Sequence, residues 1–108
     1  MAHIRLETKD IVDWPSFHEV CRSTFGFPDF YGRNMDAWID CLTYLRNGDG
    51  MSRFHLAPAE RLHIEVVNGK KFQKRMPRIA EKLEKCSAIV NERQVEMGQE
   101  PVLSLEYR

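Results

Sequence analysis

A short aromatic loop that leads directly into a helix, residues 27–43, constrains the fold of this chain more than any other stretch. Pro28 restricts its own φ and favours an extended conformation for Phe27, the residue before it. Gly32 permits a tight turn that a side chain would resist. Asn34 is a suitable N-cap, because its side-chain oxygen can accept a hydrogen bond from a backbone N–H one turn later. The stretch therefore predicts a sharp turn followed by a helix that begins at the next residue.

The predicted helix has an apolar face and a polar face. Apolar residues at helical spacing predict the buried face, and they are Met35, Trp38, Leu42 and Leu45. Asp36, Asp40 and Thr43 are three and four residues apart, so we expect two carboxylates and a hydroxyl side by side on another face. The loop carries Phe30 and Tyr31 next to these groups, and we expect one ring to be buried and the other exposed.

The order of predicted elements along the chain is β-α-α-β-α-β. Alternating and apolar runs predict strands at residues 4–8, 62–67 and 102–107. Asp13 and Gly26 are suitable caps for a first helix, and the second helix is predicted to extend to about residue 46. Helices between strands favour parallel pairing. We therefore predict an α/β fold with a small three-stranded parallel sheet packed with helices.

Two breaks divide the second half of the chain. Residues 47–50 combine asparagine, aspartate and glycine, which is a strong turn signal. They start a long connection to about residue 60, which we expect apolar side chains to attach to the surface. Pro77 splits the basic region after the second strand, so that a short turn ends at Met76 and a long helix follows. With 108 residues and no linker or repeat, the chain is predicted to form one domain, residues 1–108.

Composition and cysteine spacing narrow the class of protein. The net charge is zero, so composition alone gives no reason to expect a nucleic-acid or membrane partner. The three cysteines are widely spaced without a CxxC pair, which predicts buried reduced thiols rather than disulfides or a zinc site. No apolar run is long enough to span a membrane, and no secretory leader is recognised, so we expect a cytoplasmic location.

The aspartates of the predicted second helix could form a solvated face or a carboxylate pair for acid–base catalysis. Catalysis lacks support, because no histidine or metal cluster accompanies them and the four histidines show no helical spacing to one another. Cys41 lies beside Asp40, but the sequence supplies no base that would activate its thiol. We therefore assign no catalytic residue, no metal and no cofactor.

Residues 27–43 resemble, without a gap, the barstar family of intracellular ribonuclease inhibitors. The most specific part of the resemblance is Tyr31-Gly32-x-Asn34-x-Asp36-Ala37 followed by Asp40-Cys41-Leu42-Thr43. The resemblance implies a barstar-like α/β domain that plugs the active site of a secreted ribonuclease, with carboxylates in place of RNA phosphates. The longest predicted helix has more sequence than this family leads us to expect.

The resemblance also implies which residues contact the ribonuclease. Asp40 matches the aspartate that enters the phosphate-binding site of the enzyme. The full set of implied contact residues is Phe30, Gly32, Asn34, Asp36, Ala37, Ile39, Asp40 and Thr43. Phe30 replaces a tyrosine of barstar and Ile39 a tryptophan, while Arg33 stands at a position that is acidic there. These differences bear on which ribonuclease the chain binds.

We predict an immunity protein that binds a secreted or toxin ribonuclease, is monomeric when free, and contacts neither a membrane nor a specific nucleic acid. The alternative is a nucleic-acid-binding module that uses the basic segment, residues 70–93. Between residues 70 and 96 the chain carries eight Lys and Arg against four Glu. The same pattern is typical of a solvated helix with i,i+4 ion pairs such as Glu81 with Lys85.

Overall fold

The computed structural model describes residues 2–46, 52–57 and 59–108. Within them, three strands form one parallel sheet, and they are β1 (Ala2–Leu6), β2 (Leu62–Val66) and β3 (Leu103–Tyr107). The strands lie in the order β1-β2-β3, with Ile4 opposite Ile64 and Ile64 opposite Leu105. The predicted α/β fold and its element order are therefore confirmed, with the last helical region divided into two helices.

β1 begins and ends two residues earlier than the sequence predicts. Thr8 lies beyond the strand, where its hydroxyl donates to the Val67 carbonyl oxygen at 2.6 Å. The carbonyl oxygen of Thr8 accepts a hydrogen bond from the Ile11 N–H at 3.1 Å. Thr8 is thus part of the turn toward the first helix, and its backbone does not extend the strand.

Four helices connect the strands in the described residues, and they are α1 (Trp14–Phe25), α2 (Met35–Thr43), α3 (Gly69–Arg75) and α4 (Pro77–Glu96). Both predicted caps of α1 are confirmed, because Asp13 accepts a hydrogen bond from the Ser16 N–H and Gly26 is left-handed at φ 68°. Pro77 starts α4 directly after Met76 as predicted, but the segment before it is a seven-residue helix instead of a turn. None of these helices is both long and apolar enough to cross a membrane.

α2 ends at Thr43, about three residues earlier than the sequence predicts. Beyond it, the Arg46 guanidinium donates to the carbonyl oxygen of Glu60 at 3.0 and 3.1 Å and to that of Glu100 at 2.6 Å. These bonds attach the chain after α2 to two other segments. Leu45 is fully buried although it follows the helix, so its predicted place in the core is confirmed.

The core lies on one face of the sheet. β2 buries every second residue, whereas His63 and Glu65 between them are only half-buried. The largest fully buried apolar side chains of the helices are Phe17, Phe25, Trp38, Leu42, Phe72 and Leu83. Trp38 and Leu42 confirm the predicted apolar face of α2, and Met35 packs against the core while half-buried. The three cysteines are buried and unpaired, as predicted.

The connection between α2 and β2 is attached to the rest of the protein at Ser52 and at Leu56. The Ser52 hydroxyl donates to the Phe25 carbonyl oxygen at 2.6 Å. The Leu56 N–H donates to the Leu45 carbonyl oxygen at 2.9 Å, and the Leu56 side chain is buried. The predicted attachment by apolar side chains is confirmed for this residue. The predicted turn at residues 47–50 lies outside the described residues.

Candidate functional site

The start of α2 is set by Asn34, as the sequence predicts. Its backbone is extended, and its Oδ1 atom accepts a hydrogen bond from the Ala37 N–H at 2.8 Å. Its Nδ2 atom donates to the Gly32 carbonyl oxygen at 3.1 Å. A Cβ atom on Gly32 would lie 3.1 Å from that Nδ2 atom, so a side chain there would crowd the cap. One asparagine side chain thus joins the loop to the helix.

The two neighbouring aromatic rings of the loop divide as predicted, one buried and the other exposed. Tyr31 is 5% exposed, and its ring packs against that of Phe27 with centroids 4.7 Å apart. Its hydroxyl lies 2.7 Å from Nδ1 of His18 on α1. Phe30 is 76% exposed. The buried tyrosine therefore anchors the loop, while the phenylalanine ring is available to a partner.

Burial determines the protonation of the Tyr31–His18 pair. Burial, assisted by the positive charge of Arg33, lowers the pKa of His18, and burial raises the pKa of Tyr31. Both groups are therefore neutral at neutral pH, and one hydrogen bond joins the tyrosine hydroxyl to Nδ1. Trp14 stacks on the histidine ring with centroids 6.0 Å apart. The sequence did not point to His18, because its partner is 13 residues away in a loop and outside any helical spacing.

The two carboxylates of α2 are both exposed, and one of them is paired within the chain. Asp40 Oδ1 accepts a hydrogen bond from Arg93 Nη1 on α4 at 2.8 Å, and the two side chains are 55% and 42% exposed. Asp36, one turn earlier, belongs to none of the ion pairs between described residues. An exposed ion pair contributes only about 0.2–1 kcal/mol. A competing cation can therefore displace Arg93 from Asp40.

Two of the expected contact residues lie in the interior. Thr43 is 2% exposed, and its hydroxyl donates to the Ile39 carbonyl oxygen within the same helix at 2.6 Å. Ile39 is 5% exposed. α4 packs against this side of α2, and the Gln94 side-chain amide donates to the Thr43 carbonyl oxygen. Helical spacing alone placed the Thr43 hydroxyl beside Asp36 and Asp40, but it could not show that a second helix covers that position.

A small cavity of about 190 Å³ lies where the loop meets α2. Its lining residues are Phe30, Tyr31, Gly32, Ala37, Asp40 and Cys41. Four of the expected contact residues thus surround one cavity, and these are Phe30, Gly32, Ala37 and Asp40. Asn34 and Asp36 are exposed at the start of the helix.

The chemistry of this site suits binding rather than nucleophilic attack. Burial and the negative charge of Asp40 raise the pKa of the Cys41 thiol to about 11. The thiol is therefore protonated at neutral pH, and a thiol is a poor nucleophile. Among the described residues, no three His, Cys, Asp or Glu side chains are placed to hold a metal ion. What the site offers is an exposed carboxylate beside an exposed aromatic ring, an arrangement that can bind a cationic group.

Comparison with known proteins places the chain in a family. A family model described as Barstar (barnase inhibitor) matches residues 1–106. The chain is also 40% identical over 43 residues to a Bacillus subtilis (strain 168) protein named "Putative ribonuclease inhibitor YrdF". That match covers 40% of this chain and 47% of the relative, so it spans about half of the relative's length. Because the family model matches nearly the whole chain, from β1 into β3, this chain belongs to the Barstar family.

Proposed function

We propose that this chain inhibits a ribonuclease by occluding its active site with α2 and the loop before it. The observation that carries the proposal is the exposed Asp40 carboxylate at a cavity, next to the exposed ring of Phe30. Carboxylates can pair with the cationic groups that bind RNA phosphates, and arginine forms such pairs through two parallel hydrogen bonds. Membership of the Barstar family and the name of the Bacillus relative support this function.

Asp40 is the central contact in this proposal. On binding, its carboxylate exchanges the Arg93 guanidinium for a cationic group of the enzyme. The exchange favours the complex, because the pair within the chain is exposed and weak whereas a pair enclosed by an interface is stronger. Asp36 contributes less, since it lies one turn earlier and nearer the edge of the contact surface.

The other expected contact residues act in two ways. Phe30 supplies an apolar anchor, because exposed aromatic rings are enriched among the residues that carry binding energy. The surface around it is shaped by Gly32, Asn34 and Ala37. Ile39 and Thr43 act from the interior by holding α2 against the core and α4.

The proposed partner is a secreted or toxin ribonuclease, against which this chain serves as the immunity protein. Binding takes place in the cytoplasm, between one monomer of the inhibitor and one enzyme. Occlusion breaks no covalent bond, so the mechanism needs neither turnover nor a cofactor. The enzyme is blocked because its phosphate-binding groups and the entrance to its active site are both occupied.

This function is tested by affinity capture with this chain as bait, from an extract of the cells that produce it, followed by titration of the captured ribonuclease. RNA cleavage should fall linearly with added inhibitor and reach zero at one chain per enzyme molecule. Undiminished cleavage in excess inhibitor would contradict the proposal. So would metal-independent turnover of RNA by the purified chain.

A second candidate function, nucleic-acid binding by the basic segment, is favoured by the exposed lysines of α3. Lys70, Lys71 and Lys74 belong to none of the ion pairs between described residues. Two other cations of the segment, Lys85 and Arg93, are less suited to phosphate contacts, because they are already paired with carboxylates.

Replacing these three α3 lysines with glutamate distinguishes the two functions. If α2 is the working surface, the variant still inhibits the ribonuclease. If the basic segment is the working surface, the variant loses RNA binding, and wild-type RNA affinity falls steeply with salt as counterions are released. The measurement is RNA titration at low and moderate salt beside the inhibition assay. Tight RNA binding at moderate salt without inhibition of the captured enzyme would favour the second candidate.

A further inference from the structure

A second cavity, of about 270 Å³, lies at the carboxyl ends of β1 and β2. Its lining residues are Thr8, Lys9, Asn68, Lys71, Phe72 and Arg75. Thr8 and Asn68 each follow the last residue of a strand by two positions, and α3 supplies the other wall. In open parallel sheets, ligands bind outside the carboxyl ends of the strands. No residue of this cavity belongs to the proposed inhibitory surface.

Arg75 is fixed in this cavity before any ligand arrives. One terminal nitrogen of its guanidinium donates to the Ile11 carbonyl oxygen at 2.5 Å, and the other donates to the Thr8 carbonyl oxygen at 2.7 Å. A guanidinium has five N–H donors, so three remain. The two acceptors are carbonyl groups, which leave the positive charge of the side chain without a neutralising carboxylate. A group held in place in this way loses little conformational entropy on binding a ligand.

Two of the lining residues are lysines, which add positive charge to the same cavity. Lys9 and Lys71 are exposed, and neither belongs to any ion pair between described residues. No Asp or Glu is among the residues that line the cavity. The Asn68 side chain makes no capping hydrogen bond to α3, so its amide is available as a further donor. The Thr8 hydroxyl is not, because it already donates to a backbone carbonyl oxygen.

We propose that this cavity binds a small phosphate monoester. Arginine presents donors in a planar fork that matches phosphate geometry, and lysines add point charges around it. The volume lies just below the range of about 300–1,000 Å³ for pockets that enclose drug-sized ligands. The cavity therefore has room for the phosphate group and leaves the organic part of the ligand toward solvent. This site is independent of ribonuclease inhibition.

The test is a titration of isotope-labelled protein with inorganic phosphate and with adenosine monophosphate, followed by amide chemical shifts. Ionic strength is held constant, at about pH 7.5, where a phosphate monoester is largely a dianion. We expect saturable shifts confined to the turn after β1 and to residues 68–75. Equal affinity for the two probes would show that the cavity recognises the phosphate alone. Tighter binding of the nucleotide would show that the protein also contacts its nucleoside. Both results support the proposal. Shifts that grow without saturation would overturn it.

Two double variants show whether phosphate binds at this cavity or responds only to the overall positive charge of the protein. Lys9→Ala/Lys71→Ala should weaken phosphate binding about tenfold or more, because charge-assisted hydrogen bonds are lost. Lys74→Ala/Lys82→Ala removes two exposed lysines that do not line the cavity, so it should bind as wild type does. Equal weakening by both double variants would overturn the proposal. Arg75 is left unchanged in these variants, because it also holds the turn between β1 and α1.

Two further measurements keep this test distinct from that of ribonuclease inhibition. Both double variants should inhibit the ribonuclease as wild type does, since neither alters the loop or α2. Failure of phosphate binding would therefore leave the inhibitory proposal standing, and failure of inhibition would leave the phosphate site standing. An RNA oligonucleotide that binds while neither phosphate nor adenosine monophosphate binds would overturn the proposal in favour of a nucleic-acid surface.

Discussion

Replacing Asp40 with alanine separates the binding role of this carboxylate from its structural role. In the free protein the variant loses the ion pair with Arg93, and because that pair is exposed the loss is limited to about 0.2–1 kcal/mol of unfolding free energy. In the proposed complex, a partner cation at about 4 Å and an effective dielectric of about 20 is attracted by roughly 4 kcal/mol. Subtracting the displaced pair leaves roughly 3 kcal/mol, which corresponds to about a hundredfold loss of affinity.

The assay is titration of the captured ribonuclease with wild-type and Asp40→Ala protein, beside urea unfolding of both. We expect inhibition to weaken about a hundredfold while the unfolding midpoint stays close to that of wild type. Glu84→Ala is the matched control, because Glu84 is exposed on α4 and the substitution removes the same charge outside the proposed surface. Wild-type affinity of Asp40→Ala would refute the proposed contact, and equal weakening by the control would assign the effect to overall charge.

Three other substitutions test the packing and electrostatics around α2. Trp38→Ala removes a fully buried ring and should lower the unfolding free energy by about 3–5 kcal/mol in urea; an unchanged midpoint would show that the ring is not part of the core. Arg93→Ala removes the competitor for Asp40 and should tighten inhibition by up to about fivefold, whereas weaker inhibition would show that Arg93 supports the complex. Burial lowers the pKa of His18 in the folded state. As the pH falls below about 6.5, the unfolded chain therefore binds a proton that the folded protein does not, and the free energy of unfolding decreases. The measurement is the urea midpoint of unfolding at about pH 7.5 and at about pH 5, and His18→Gln should make the decrease between them smaller. The same decrease in the variant and in wild type would argue against a neutral histidine.

The sequence predicts most of the fold because its signals are local. Caps such as Asp13, Asn34 and Gly26 depend on residues within one helical turn, and all three have the predicted role. The ends of β1 and α2 are less well predicted. They depend on hydrogen bonds to distant segments, such as those from Thr8 to Val67 and from Arg46 to three backbone carbonyl groups.

The site could be predicted as far as one helix and one loop define it. The division of the two loop rings into buried and exposed follows from the sequence, and so does the exposure of Asp36 and Asp40. The spacing of residues within α2 cannot predict the contacts that α4 makes, because α4 packs against α2 only in the folded protein. α4 places Gln94 against the backbone of α2 and Arg93 against a carboxylate, from about fifty residues further along the chain.

The charges around the proposed surface limit how it can attract a partner. Arg93 pairs with Asp40, and Arg33 of the loop pairs with Glu19 of α1 at 2.9 Å, so an exposed cation accompanies each of these two carboxylates. Electrostatic attraction over long distances depends on an excess of one charge, and this surface has little of it before binding. Affinity must therefore come from short-range contacts made after encounter. We expect the Asp40 carboxylate, the exposed Phe30 ring and the cavity beside them to supply those contacts. We therefore expect an enzyme that fits this chain to have an apolar patch next to its phosphate-binding cations.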